Sequence, residues 1–479
     1  MNKDYIVVIG GGLAGSEAAL QIAKQNIKVK LYEMKPVKFS PAHSNSNFAE
    51  IVCSNSFKSN LLTNACGLLK EELRILDSFL IKTADKVQVP AGQALAVDRD
   101  EFAKEVTRLI ESNENIEVIK KEVVSKYDDS IKAKGINKKE DDNDNVFFED
   151  LIKDNIVIIA TGPLTSDSLS IGIKHLTGDD SLYFFDAASP IIEKDSIDFD
   201  IAFYGNRYDE EKKKEESIEE WKERLKTQEK SYINLPMEKQ EYESFVNELI
   251  NAEVVMLHDF EKKEIFEGCM PVEIMAGRGI DTLRFGPLKP MGFDDPRTGK
   301  RPYAVVQLRQ DNKEADLYNM VGFQTNLKFG EQKRVFSMIP GLENANYVKY
   351  GVMHRNTFIN STKLLNNTYN MKEKPNVFFA GQITGVEGYV ESISSGMVAS
   401  LNAIRQIEDK EKIAFDDETM IGCLANYIST PNEKFQPMNA NFGILKELDN
   451  KIKDKKLKYT KLSERSLDKI KDFKESVDK

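Results

Sequence analysis

The chain is poor in cysteine, tryptophan and histidine, with four, one and four of them in 479 residues. Four thiols cannot staple a chain of this length, and Cys53, Cys66, Cys269 and Cys423 lie too far apart for a CxxC pair or a zinc knuckle. They are expected to be reduced, and no metal site is expected. Long apolar runs are missing too. Runs such as residues 156–160 fall far short of the roughly 20 residues needed to cross a bilayer, and the opening Met1-Asn2-Lys3-Asp4 has no apolar leader. A cytoplasmic protein without membrane association is therefore expected. Nor is there a general excess of positive charge: 67 basic against 78 acidic residues leave a net charge of -11, which argues against non-specific coating of nucleic acid. A local basic surface is compatible with that balance.

What is present is enough apolar material, 41% of the chain, for a large core, and length suggests roughly two to four domains. Residues 5–9 are a β-branched run ending in glycines, residues 13–23 alternate with helical period, and residues 27–32 read as the next strand. Gly10, Gly12 and Gly15 match GxGxxG at the strand-to-helix turn, and Glu33 ends the second strand. Such a turn, with Gly11, Leu13 and Ala14, brings a helix N-terminus against a pyrophosphate, while Glu33 accepts from the adenosine ribose. Two later segments favour FAD over NAD. One is a strand running into Ala160-Thr161-Gly162, and the other a strand over residues 376–380 entering a loop with Gly381, Gln382 and Gly385 before a small-residue helix. The expected fold is α/β, a discontinuous Rossmann-type FAD-binding domain (1–198 and 341–479) with a smaller inserted α/β domain (199–340). Residues 132–150 and 209–230 read as surface insertions, the second a solvated helix around Trp221, and the tail after residue 450 as an outer helix.

Two thiols have unusual neighbours. Cys53 lies in Phe48-Ala-Glu-Ile-Val-Cys-Ser-Asn-Ser-Phe-Lys-Ser-Asn60, and Cys269 in Phe266-Glu-Gly-Cys-Met-Pro-Val-Glu273. Flanking polar and cationic groups favour the nucleophilic thiolate. Cys66 and Cys423, in apolar helical stretches, are read as space-filling. With Tyr32-Glu-Met-Lys-Pro36, Ala94-Leu-Ala-Val-Asp-Arg99, Phe184-Phe-Asp-Ala-Ala-Ser-Pro190, residues 301–312, residues 351–358 and the Gly381 loop, these segments resemble the folate- and FAD-dependent RNA (uracil-5-)-methyltransferases over nearly the whole chain.

The resemblance implies that 5,10-methylenetetrahydrofolate supplies a one-carbon unit, which the flavin relays to C5 of a uridine, with NADH or NADPH as reductant. It implies Cys269 as the nucleophile that adds to C6, since uracil C5 attacks only once a sulfur at C6 has made it an enolate carbon. Cys53 matches the family's second active-site cysteine, with proton transfer from C5 and support of the flavin both open. The RNA partner is expected to be tRNA at its T-loop uridine, with large-subunit ribosomal RNA as the alternative; a flavin-bound RNA-binding relative without activity is a further reading. No obligate protein partner is evident. Residues 284–355 hold more basic than acidic side chains, with Arg284, Lys289, Arg301, Arg309, Lys333 and Arg334 as candidates for the RNA backbone, and Phe285, Tyr303, Phe323 and Phe329 as possible base-stacking rings. The sequence departs from the family at residues 44–47, at Asn326 and at Leu235.

Overall fold

In a computed structural model, the structure describes residues 2–131, 145–178, 182–207, 216–227, 231–255, 270–433 and 435–477. The opening unit is β1 (Tyr5–Ile9), α1 (Leu13–Lys24) and β2 (Lys28–Glu33). β1 runs parallel to β2 on one side, and on the other to Ile156–Ile159. Val377–Phe379, from the C-terminal third, adds beyond Ile156–Ile159, and Ile116–Lys120 beyond β2, completing a five-stranded parallel sheet. Its central strands are covered on both faces, which is why they read as unbroken apolar runs rather than alternating ones. α1 and the helix Tyr389–Ile407 pack side by side, so both ends of the chain build this Rossmann-type domain. Ligands of such sheets sit beyond the strand C-termini where chain order reverses, here between β1 and Ile156–Ile159.

The second core surrounds a six-stranded sheet in the order Phe203–Tyr204, Tyr232–Met237, Ala304–Gln310, Leu317–Met320, Ile191–Glu193, Tyr347–Lys349. The first and last parts of it, Ile191–Glu193 and Tyr347–Lys349, pair across the ends of the segment and lie outside or beyond the expected 199–340 span. Leu182–Ala187 and Met353–Phe358 form an antiparallel pair leading between the two cores. Helix Ile218–Thr227 is not simply solvated as expected: Trp221 is wholly buried, while the charged residues on either side of it are exposed. Of the other expected insertion, residues 132–144 lie outside the described residues, whereas Phe148 is wholly buried and packs towards Gly172.

The tail forms helix Lys455–Val477, which buries Leu462, Ser463, Ser466 and Ile470 against helix Ala65–Ile75 and stacks Phe473 on Phe415. Among the described residues, no helix is long and apolar enough to cross a membrane. One buried acid ties this region together. Glu72 accepts the Met420 and Ile421 N–H groups at 2.8 and 2.9 Å, capping helix Met420–Tyr427 from a distance, and also bonds the Ser466 hydroxyl. Burial pushes its carboxyl up to about 7, despite those donors. A carboxyl raised in the folded state holds its proton there more tightly than in the unfolded chain. Its contribution to stability is therefore full below the unfolded value and is lost as pH rises through about 7. Thermal melting between pH 5 and pH 8 is expected to show wild type losing more stability with rising pH than Glu72→Gln; parallel pH profiles contradict the assignment.

Candidate functional site: a dinucleotide cleft and a guarded thiol

The glycine turn is built on close approach. Gly10 has φ +101°, and a Cβ there would lie 2.6 Å from the Ala160 carbonyl oxygen; one at Gly15 would lie 1.9 Å from the Gly10 carbonyl oxygen. Gly12, by contrast, faces open space, and it starts α1 with no side chain capping the first-turn N–H groups. Those donors are left for an anion. Glu33 stands at the end of β2, 8% exposed, its carboxylate accepting the Gly11 and Lys35 N–H groups at 2.8 and 2.9 Å. Its remaining lone pairs face a cleft of about 1140 Å³ lined also by Gly10, Gly11, Gly12, Leu13, Ala14, Gly162, Gly381 and Gln382. The second helix, Tyr389–Ile407, begins at Gly388 and likewise lacks a side-chain cap. Open space at Gly12, uncapped helix starts and a terminal carboxylate fit a dinucleotide. Gly385 does not line the cleft: it turns the chain at φ +88°, and a Cβ there would lie 2.3 Å from the Phe435 ring, so its part is in packing rather than contact.

Cys53 is tied to the wall of this cleft by a residue that sequence reasoning missed. The Tyr389 hydroxyl, on the first residue of the second helix, accepts the N–H groups of Cys53 and Ser54, each at 3.0 Å, and Tyr389 itself lines the cleft. The half-buried Cys53 thiol lies 3.8 Å from the Ala187 carbonyl. Three cations stand within electrostatic reach, Arg99, Arg309 and Lys349. Arg99 bonds Asp311 and the Ile51 carbonyl, but its Nη2 is buried without a partner. Burial lowers the Lys349 amine from the usual lysine range, with the Arg99 charge adding to the effect. Only their chemistry could have suggested them from sequence, since nothing local marks them.

Arg309 is corrected here. Expected on an RNA-facing surface, it is buried, donating from Nε to Asn55 Oδ1 at 2.8 Å and from Nη2 to Ser54 Oγ at 2.6 Å. Ala304, Val306 and Leu308 of strand Ala304–Gln310 face the second core, so Arg309 lies on the opposite face, where it positions the Cys53 segment instead. Arg284 bonds the Tyr303 carbonyl and Asp281, Arg301 lies 3.9 Å from Asp294, and Arg334 pairs with Glu248 and Glu331. Such exposed pairs are weak enough to exchange for phosphate. Lys289 is half-buried and Lys333 exposed. Of the four rings, Phe323 is in the core, Tyr303 lies between Tyr242 and the Arg284 guanidinium, and Phe285 and Phe329 are exposed.

Cys269 lies outside the described residues. The segment that follows it is anchored: the Val272 N–H donates to the Gln324 carbonyl at 2.7 Å, and Glu273, raised by burial, accepts from Thr325 Oγ1 and the Asn326 N–H. The departure at Asn326 thus falls on this anchor.

Fold and cleft together define a flavoprotein of the two-part Rossmann type, and the profile of the family described as Glucose inhibited division protein A matches residues 5–411. A solved GidA structure from Aquifex aeolicus superimposes with a TM-score of 0.62, covering 98% of this chain and 75% of its own at 18% identity, which speaks to the fold alone. The chain belongs to the methylenetetrahydrofolate--tRNA-(uracil-5-)-methyltransferase family. It is 55% identical to the Acetivibrio thermocellus member over 471 residues, covering 98% of both chains. It is 51% identical over 478 residues to that of Bacillus velezensis, covering all of both. These relatives are named for tRNA and not for ribosomal RNA, the alternative weighed from sequence.

The thiols differ enough to test. Burial pushes Cys66 and Cys423 each up to about 12, helped by Glu391 and Glu72 respectively. At pH 8 such a thiol is ionised in roughly one molecule in ten thousand. Brief alkylation of the native protein, read by peptide mass spectrometry, is expected to label Cys53 well before Cys66 and Cys423. Equal labelling of the three contradicts this account of the site.

Proposed function

We propose that this protein methylates C5 of a tRNA uridine, the one in the T-loop, from methylenetetrahydrofolate, with FAD as bound cofactor, NADH or NADPH as reductant and the cytoplasm as its location. The observation that carries the reading is the coupling of Cys53 to the cleft through the Tyr389 hydroxyl. FAD, when bound, supplies the relay for the one-carbon unit and its reduction. Gly12 and the start of α1 hold the pyrophosphate, Glu33 the ribose, and Gly162, Gly381 and Gln382 the remaining wall of the cleft.

The reacting uracil needs a sulfur at C6. Cys269 is assigned that addition: its S–C6 bond forms, the C5=C6 electrons move towards O4, and C5 becomes nucleophilic. After C5 has taken the carbon, its proton must leave before the sulfur is expelled and the double bond restored. Cys53 is assigned to receive that proton. Arg99, Arg309 and Lys349 stand around it within electrostatic reach. Arg284, Lys289, Arg301, Lys333 and Arg334 are assigned to the RNA backbone, where contacts position the substrate without reading its sequence.

The assay is to incubate protein, FAD, methylenetetrahydrofolate and NADPH with unmodified tRNA or ribosomal RNA transcripts and to count 5-methyluridine by nucleoside mass spectrometry. Product on tRNA alone, absent with Cys269→Ala, is expected. Arg309→Ala is expected to lower turnover roughly 10- to 100-fold, the weight of a charged hydrogen bond, with little change in tRNA affinity. No 5-methyluridine from folded, yellow protein contradicts the proposal.

A further inference from the structure

Three aromatic rings stand in a row in the second domain. Phe329 opens helix Phe329–Phe336, and its ring stacks on Tyr350 with centroids 5.0 Å apart and 19° between planes. Tyr350 stacks in turn on Tyr347, at 5.5 Å and 16°. The row is buried at one end and open at the other: Tyr347 is 9% exposed and Phe329 53%. The outer ring is therefore already oriented by the stack beneath it. Lys333 lies one turn along from Phe329 on the same helix face, exposed and without an acid partner among the described residues, while Lys328 and Arg334 are paired with Glu253 and with Glu248 and Glu331.

Its place gives the row a role. A Cβ on Gly351, the residue after Tyr350, would lie 2.7 Å from the Ala188 carbonyl oxygen and 2.6 Å from Thr325 Cγ2. Ala188 follows Ala187, whose carbonyl meets the Cys53 thiol. Thr325, on the other side, bonds Glu273 in the segment that follows Cys269. Gly351, next in the chain to the middle ring, thus stands between the backbone beside Cys53 and the anchor of the Cys269 segment. Other rings of the region are otherwise engaged or unsupported. Phe323 is wholly buried, Tyr303 is covered by Arg284, and Phe285, though 79% exposed, has no ring stacked under it among the described residues.

We propose that Phe329 is a stacking platform for an unpaired base of the RNA next to the target uridine, with Lys333 contacting the adjoining phosphate. This rests on the reading of the protein as an RNA uridine methyltransferase. C5 and C6 of a uridine become accessible to a sulfur and a carbon donor when the base leaves its stack, and its departure uncovers the face of a neighbour. A ring held in place by Tyr350 covers that face without an ordering cost of its own, and stacking is tolerant of which base it receives.

The test is titration of the holoenzyme with unmodified tRNA transcript, using wild type, Phe329→Ala, Phe329→Leu and Phe329→Trp, each checked by melting and flavin content. Loss of the flat ring in the Ala and Leu variants is expected to weaken binding roughly 5- to 150-fold, while the Trp variant retains affinity. Since the native Trp221 is wholly buried, the new exposed indole reports directly, and its fluorescence is expected to be quenched as RNA binds. Lys333→Ala is expected to lower the slope of log K against log salt by about one. Wild-type affinity and methylation in Phe329→Ala, with an unquenched indole in Phe329→Trp, would overturn the platform and leave the methyltransferase reading standing. If wild type itself neither binds nor methylates tRNA, that reading falls, and the platform falls with it.

Discussion

The structure depends on the contact of α1 with the helix Tyr389–Ile407. A Cβ on Gly396 would lie 2.3 Å from the Ala14 carbonyl oxygen, so the two helices touch backbone to backbone. That contact joins the first residues of the chain to the last third of it, and it sets two uncapped helix starts beside one cleft. Once the second helix is placed, so is Tyr389 at its first residue, and with Tyr389 the backbone of Cys53. The glycines at 10, 15 and 396 therefore serve the chemistry indirectly, by setting distances that any side chain would lengthen.

A second constraint lies at the joint between the domains. Arg309 on the inner strand of the second sheet holds Ser54 and Asn55, and Asn55 returns a bond from Nδ2 to the Gln310 carbonyl at 2.8 Å. Arg99, from the first domain, meets Asp311 of the second. These charged contacts are buried, where removing one partner leaves the other unsatisfied, so they fix the relation of the domains more firmly than surface pairs do. They also gather positive charge around a thiol in a protein whose net charge is -11. Overall charge and the charge at the site thus have opposite signs.

Much of this was legible where it is local. Gly10, Gly12, Gly15 and Glu33 sit within one strand, turn, helix and strand, and spacing alone carries their geometry. The later strand and Gly381 loop were legible for the same reason, and the outer C-terminal helix through its apolar spacing. The bond from Cys53 to Tyr389 was not, because 336 residues separate them and nothing local marks Tyr389. Arg309 and Trp221 were misread for a related reason: charge and a charged neighbourhood suggest solvent, but the packing of a sheet or a helix face decides burial. At Gly385 the positive φ and the Phe435 ring pressed against it were not legible either. The strand Ile191–Glu193 was likewise hidden, since three residues become a strand only through partners far along the chain.

The most direct measurement of the central claim is the flavin content and melting temperature of Gly396→Val, purified alongside wild type. A side chain at 396 must push Ala14 away, and the account predicts a protein that folds less stably and retains little flavin, because both helix starts leave the cleft together. Full flavin occupancy with an unchanged melting temperature would contradict it.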